Sequence, residues 1–378
     1  MTFGFVAMRH RGRGVASGEE IHMGKFVLGE KRPLIIAGPC AAETHEQTVD
    51  TALELAKSGR VDVIRAGVWK PRTNPGTFEG IGEPALEWLE EIKEKTGLPL
   101  AVEVANRSHV QLALKHNIDI LWIGARTTVS PFAIQEIAEA LRDNKDVTVL
   151  VKNPMTPDIG LWAGAVNRLI NEGIPRENIG LIHRGFSYFG HTKYRNPPMW
   201  HMIFEMRARF PDMMMICDPS HICGCRPLLQ GIAQQAADLC FDGMMIESHN
   251  SPDKAWSDSA QQVIPQDCIT MIDNIMWRGK SADDPEFNDE LNLCRQQIDQ
   301  IDAELFELLS QRMKTADKIG HIKKASNVAI LQTNRWGEVC RRMLNMTRSM
   351  GLSEEFVNSV LEAIHVESIN HQNDVMNK

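Results

Sequence analysis

The sequence predicts an α/β chain: a (β/α)8 TIM-type barrel followed by a small all-α domain. Three observations carry this. Short apolar runs recur eight times through the first three-quarters of the chain. Segments with helical spacing separate them. Near residue 278 the pattern changes to helix alone.

The apolar runs are LIIAG (34–38), VDVIRAG (61–67), LAVEV (100–104), IDILWIG (118–124), VTVLVK (147–152), IGLIH (179–183), MMMICD (213–218) and FDGMMIE (241–247). Continuously apolar strands are buried on both faces, as in parallel sheets. Between them, Val49, Leu53 and Ala56 share one helical face, as do Ile134, Ile137, Ala138 and Leu141. Eight such units over about 250 residues match a closed barrel better than an open sheet. No G-x-G-x-x-G follows the first run, which weighs against a dinucleotide-binding fold. The first 30 residues are too few for a separate regulatory domain and are expected to form a hairpin closing the barrel's bottom.

The barrel is expected over 1–278, a linker (GKSADDPEF) over 279–287, and a helical domain over 288–378. Residues 288–319 contain neither Gly nor Pro, and Leu291, Ile298, Ile301, Leu305, Leu308 and Ile319 recur mostly at steps of three, four or seven. So long a helix needs a partner helix, in the same chain or another. Further helices are expected near 333–349 and 353–375.

Composition narrows the function. The 378 residues are 43% hydrophobic and 24% charged, which is ordinary for a globular chain. A net charge of −8 argues against nucleic acid or an anionic membrane as partner. No apolar run approaches the roughly 20 residues of a membrane span. The N-terminus places its apolar patch before its basic residues, the reverse of a secretory signal, so a cytoplasmic location is expected. The eight cysteines are then expected to be reduced. Cys223 and Cys225 lack a second pair at zinc-ribbon spacing.

In a barrel of this type, chemistry sits at the C-terminal ends of the strands. Two sets of residues separate there. Arg65, Lys70, Arg72, Arg126, Lys152 and Arg184 form a basic set. In an acidic protein such focusing points to an anionic substrate, most simply one with phosphate and carboxylate. The competing account is a ring of surface ion pairs, which six successive positions fit poorly. Cys40, His221, Glu247 and Asp258 form the second set, a mixture of thiolate, imidazole and carboxylate suited to a divalent transition metal. The competing account makes Cys40 a small buried hydrophobe and His221 a loop histidine.

GPCAAE (38–43), RAGVWKPRTNP (65–75), IGAR (123–126), VKNP (151–154), HRGF (183–186), DPSH (218–221) and ESH (247–249) resemble the 3-deoxy-D-arabino-heptulosonate 7-phosphate synthases. The similarity covers roughly residues 30–278 and is closest to the short-chain branch of the first class. The related octulosonate phosphate synthases share the barrel but differ at K-P-R-T. The resemblance implies condensation of phosphoenolpyruvate with erythrose 4-phosphate. It implies that Arg65, Lys70, Arg126, Lys152 and Arg184 hold phosphoenolpyruvate, and that Arg72 and Thr73 hold the sugar phosphate. It assigns Cys40, His221, Glu247 and Asp258 to a divalent metal ion (Mn, or Co, Zn, Fe or Cd). Lys70 is the expected proton donor to the new alkoxide and Glu103 the expected water-orienting group.

In the tail, Arg312 and Lys323 share a helical face, while Arg295 lies about 25 Å of helix before Arg312. One small ligand cannot touch both on a straight helix, so a shared site needs Arg295 from a second copy. The plainer account is a solvated basic face. The stretch LCRQQIDQIDAELFELLSQRMKTADKIGHIKK (293–324) is similar to the all-helical chorismate mutases. They are intertwined dimers that convert chorismate to prephenate without a cofactor. The resemblance implies a homodimer through this domain. It carries over basic roles to Arg295, Arg312, Lys323 and Arg335, and polar roles to Ser368 and Gln372. Lys323 and Gln372 would donate to the ether oxygen, where negative charge grows. Gln332 and Trp336 stand where the family usually has acidic residues that contact the substrate hydroxyl. Gln332 can accept a hydrogen bond; Trp336 can only donate one.

The combined expectation is a bifunctional enzyme of aromatic biosynthesis. The alternative is a synthase barrel whose helical domain mainly senses chorismate or prephenate.

Overall fold

The computed structural model describes residues 21–23, 26–28, 33–71, 76–144, 146–279, 284–331 and 333–377. Strands β1 (Ile21–Met23) and β2 (Phe26–Leu28) pair antiparallel, with Met23 opposite Phe26. This is the hairpin expected near the N-terminus. It lies against the 3-10 turn Arg176–Asn178, which leads into the bottom of a barrel strand.

The barrel itself is β3 (Leu34–Gly38), β4 (Val63–Ala66), β5 (Leu100–Val104), β6 (Ile120–Ile123), β7 (Thr148–Lys152), β8 (Ile179–His183), β9 (Met214–Cys217) and β10 (Gly243–Glu247). All neighbours run parallel, and β10 closes on β3 with Glu247 opposite Gly38. The expected (β/α)8 barrel is thus borne out.

Side chains alternate across a strand, and here the alternation sorts two cores. Outward residues such as Ile35, Ala37, Val102, Val149 and Leu181 pack under the helices. Inward residues Leu34, Ile36, Val63, Ala101, Ile120, Trp122, Leu150, Ile182, Met214, Ile216 and Met245 fill the barrel. The next inward position on six strands is charged: Arg65, Glu103, Lys152, Arg184, Asp218 and Glu247. An apolar plug therefore ends in a charged upper layer. Side-chain oxygens of Thr44, Asn106, Ser130 and Asp158 cap the helices His45–Lys57, Arg107–Lys115, Pro131–Leu141 and Ile159–Asn171, satisfying amides at their N-termini.

The chain divides into two compact units, 1–280 and 281–378. The second is helical. Its first helix, Pro285–Ala325, begins inside the segment read as linker, because Asp284 caps it and Pro285 suits the first helical position. The helices Thr333–Thr347 and Glu354–Asn377 follow. The long helix packs closely on Glu354–Asn377 at Gly320, where a Cβ would lie 3.2 Å from Gln372 Cα. Its stretch 293–308 stays uncovered within the unit: Leu293 is 61% exposed, Leu308 is 63% exposed, and Ile298, Ile301 and Leu305 are exposed too. No helix among the described residues is long and apolar enough to cross a membrane.

His183, at the end of β8, is fully buried beside Phe186, Trp200 and Phe241. Burial, helped by Arg184, lowers its imidazole to about 3. The native state thus stays unprotonated where the unfolded chain takes up a proton, from its ordinary value of about 6.5 downward. Its contribution to stability is present above that value and is lost as the pH falls towards 3. Denaturant titrations of wild type and His183→Gln at pH 7 and 5.5 are expected to show the wild type losing roughly 1 kcal/mol more than the variant.

Candidate functional site

Eight strands deliver their C-terminal ends to one rim, and the charged inward layer makes that rim the candidate site. Its floor is Trp122, fully buried. The Arg65 guanidinium carbon lies 4.7 Å and Lys152 Nζ 5.8 Å from the Trp122 ring centroid. Trp122 Nε1 donates to Glu103 Oε2 at 3.2 Å.

Two buried ion pairs stand above it. Arg65 Nη2 lies 3.2 Å from Glu247 Oε1, with side chains 1% and 0% exposed. Lys152 Nζ lies 2.7 Å from Asp218 Oδ2, also buried. Burial raises the Asp218 carboxyl, but His221 and Lys152 outweigh it and hold the group well below the carboxylate range. Burial lowers Arg184 to about 10. Arg65 keeps two buried nitrogens, Nε and Nη1, without a hydrogen-bond partner among the described residues. Unused donors on a buried cation are costly unless an anion takes them.

Beside this layer, Cys40 Sγ and carboxylate oxygens of Glu247 and Asp258 all lie within 4.8 Å of one another. Lys70 Nζ is 3.2 Å from Cys40 Sγ and donates to the Cys40 carbonyl. Burial, then the Glu247 charge, pushes the Cys40 thiol up to about 12. Burial also raises Glu247 and Asp258, yet His221, with Arg65 at Glu247 and Arg195 at Asp258, holds both below the ordinary range. His221 is the fourth expected ligand. Its Nε2 lies 3.8 Å from Glu247 Oε1, but its Nδ1 turns to Asp218 Oδ2 at 2.8 Å, because Asp218 caps the short helix Pro219–Cys223 that carries the ring. Three of the four predicted ligands thus form the tight group, and the fourth adjoins it.

Glycines make the closeness possible. A Cβ on Gly67 would sit 2.4 Å from both Cys40 O and Lys70 Nζ, and one on Gly124 would sit 2.1 Å from Glu103 Oε1.

Of the basic set, Arg65, Lys152 and Arg184 are buried, Lys70 is half-buried and Arg126 is exposed on the short helix Ala125–Thr128. Arg72 and Thr73 lie outside the described residues. Sequence reading gave no role to Asp218 and missed Trp122, Arg195, Ser257, Gln261 and Gln262. Trp122 was findable from its parity with Ile120. Nothing local marks the others, which reach the site from loops.

In the helical unit, Arg312 donates to Ser368 Oγ and Lys323 to the Ile330 carbonyl. Gln372 is buried, and its Oε1 has no hydrogen-bond partner among the described residues. Trp336 stacks on His365 at 4.0 Å between centroids and 14° between planes. Arg295 is exposed on the long helix. Gln332 and the Arg335 side chain lie outside the described residues.

A sequence model of the DAHP synthetase I family matches residues 15–282, and one of chorismate mutase type II matches 294–373. Phospho-2-dehydro-3-deoxyheptonate aldolase of Thermotoga maritima is 30% identical over 244 residues, covering 64% of this chain and 69% of that protein. 2-Dehydro-3-deoxyphosphooctonate aldolase of Geobacter metallireducens is 28% identical over 276 residues, covering 67% and 94%. The crystal structure of the Thermotoga maritima aldolase superposes with a TM-score of 0.59 at 28% identity, covering 68% of this chain and 72% of that one.

Removing one partner of a buried ion pair leaves the other charge stranded, at a cost of about 3–5 kcal/mol. Asp218→Asn is therefore expected to destabilise the barrel by about that amount, read as a lower denaturant midpoint with an unchanged slope.

Proposed function

The chain belongs to the DAHP synthetase I family and ends in a chorismate mutase type II domain, and from that premise we propose its substrates, its metal and its assembly. Both activities belong to aromatic biosynthesis. The barrel condenses phosphoenolpyruvate with erythrose 4-phosphate, and the helical unit rearranges chorismate to prephenate. The observation that carries the barrel reading is Arg65, a buried guanidinium with two unused nitrogens amid Lys70, Lys152 and Arg184. A small molecule with phosphate and carboxylate would take those donors. Arg126 at the same rim would add a further cation, and Arg72 and Thr73 are proposed for the sugar phosphate.

Cys40, His221, Glu247 and Asp258 would hold a divalent transition metal. Sulfur, nitrogen and oxygen donors together suit Mn, Fe, Co, Zn or Cd. The fit rests on the buried Glu247 Oε1, which has no hydrogen-bond partner among the described residues, and on the Cys40 thiol, whose sulfur lies within 4.8 Å of carboxylate oxygens of Glu247 and Asp258. The raised Cys40 thiol makes loading proton-releasing, since the ligand is the thiolate. When bound, the ion supplies Lewis-acid polarisation of the aldehyde oxygen. The enol carbon of phosphoenolpyruvate attacks that aldehyde carbon. Lys70, held beside Cys40, donates a proton to the alkoxide. Glu103 orients the water that adds to the cationic carbon, after which phosphate leaves.

In the helical unit, Arg312 is proposed to bind a substrate carboxylate, with Arg335 nearby in sequence. Lys323 and Gln372 would donate to the ether oxygen, Gln372 after turning its amide. Gln332 and Ser368 would line the same site, and no cofactor enters. The exposed apolar line on the long helix supports a homodimer, in which Arg295 comes from the second copy. The unpaired cysteines support a reducing, cytoplasmic location. A regulatory use is favoured by one observation. Trp336, lying flat on His365, stands where the resembling mutases carry an acidic residue.

Two measurements test these readings. With a chelator present, the full chain is expected to stop making the heptulosonate phosphate but to go on converting chorismate to prephenate. Chorismate binding without turnover would leave the helical unit a sensor. Arg295→Ala and Lys323→Ala chains, each inactive as mutases alone, are expected to regain roughly a quarter of wild-type turnover when unfolded and refolded together, because a mixed two-fold dimer restores one of its two sites. No recovery would place Arg295 and Lys323 on the same chain's site or outside it.

A further inference from the structure

The segment 257–262, which follows β10, touches the candidate ligand set at several points. Ser257 Oγ donates to Cys40 Sγ at 3.1 Å. Gln262 accepts from the Cys40 amide at 2.9 Å and donates to the Ser257 carbonyl at 2.8 Å. The informative residue is Gln261, almost completely buried. Its Nε2 donates to Glu247 Oε2 at 2.7 Å, and its Oε1 accepts from Arg195 Nη1 at 2.9 Å. The same Arg195 nitrogen donates to Asp258 Oδ1 at 2.9 Å.

One carboxamide therefore connects two acidic ligands through one guanidinium. Each carboxylate has one oxygen tied to this amide–guanidinium pair, and its other oxygen turns towards the remaining candidate ligands. Among the described residues Glu247 Oε1 has no hydrogen-bond partner, and it faces Arg65 Nη2 at 3.2 Å and His221 Nε2 at 3.8 Å. Asp258 Oδ2 faces Cys40 Sγ at 3.6 Å. A carboxylate binds a cation through one oxygen or two, and an oxygen tied in a strong hydrogen bond is the poorer ligand. The residue type follows from its neighbours. A carboxylate needs a donor and a guanidinium needs an acceptor, and a side-chain amide offers both from one end on two separate atoms.

We propose that Gln261 is a positioning residue that makes Glu247 and Asp258 single-oxygen metal ligands, holding Glu247 directly and Asp258 through Arg195. This rests on the metal reading above. Outer partners of this kind typically change metal affinity by about 10- to 100-fold.

The test is titration of the full chain with Co2+, followed by the thiolate-to-cobalt charge-transfer band and by the intensity of the d–d bands, which reports coordination geometry. Gln261→Leu and Arg195→Met are each expected to weaken Co2+ binding about 10- to 100-fold and to alter the d–d intensity. Arg195 is half exposed, so its variant decides the matter should the buried Gln261→Leu fail to fold. Wild-type affinity with a wild-type spectrum in either folded variant overturns the proposal. Lack of a charge-transfer band in the wild type removes the metal reading itself, and the proposal with it.

Discussion

The pairing of Arg65 with Glu247 inside the barrel is the constraint on which the upper end of the molecule depends. Both side chains are essentially closed to solvent, so neither charge can be relieved by water. A buried ion in a low-dielectric interior survives only with a partner and further hydrogen bonds. Each of these two has more than one neighbour. Arg65 lies over Trp122 and donates to the Cys40 carbonyl. The Glu247 carboxylate accepts from the Gln261 amide, and its backbone N–H donates to the Ser220 hydroxyl. The strands β4 and β10 that carry them flank β3, whose end leads to Cys40. The cations and carboxylates of this rim thus form one mutually balanced charge layer.

The layer rests on geometry that no single residue supplies. Strand alternation places every charged position directly above an apolar one, so the plug below is dry and the layer above is dense. Dense packing then limits side-chain size nearby. Gly67 lets the Cys40 carbonyl and the Lys70 ammonium meet, and Gly124 makes room for the Glu103 carboxylate. The loop after β10 completes the arrangement from outside, through Ser257, Gln261 and Gln262. A barrel rim of this kind lets loops contribute chemistry while the strands hold it still.

The helical unit obeys the opposite logic. Its long helix buries Ala316 and Gly320, the latter against Glu354–Asn377, while its stretch 293–308 presents Leu293, Ile298, Ile301, Leu305 and Leu308 to solvent within the unit. Such a line of apolar side chains is an unfinished core. The helix thus packs within its unit around Gly320 and leaves an apolar seam uncovered there over 293–308.

The sequence by itself determined the eight strands, the change to helix after residue 278 and most of the rim, because these follow from local periodicity and from motifs that sit at strand ends. It named Arg65, Lys152, Arg184, Cys40, Glu247 and Asp258 as rim residues, and for Arg65, Lys152, Arg184 and Glu247 the strand parity that aims them inward is a local property. Tertiary structure alone decided that His221 leans on Asp218, that Trp122 is the floor, and that Arg195 and Gln261 reach Glu247 and Asp258 from separate loops. Those contacts join residues far apart in the chain, such as Arg195 and Asp258 at a separation of 63. Loop conformation, not periodicity, sets their meeting, and the helix start at Pro285 likewise turned on a cap that composition had hidden within a linker.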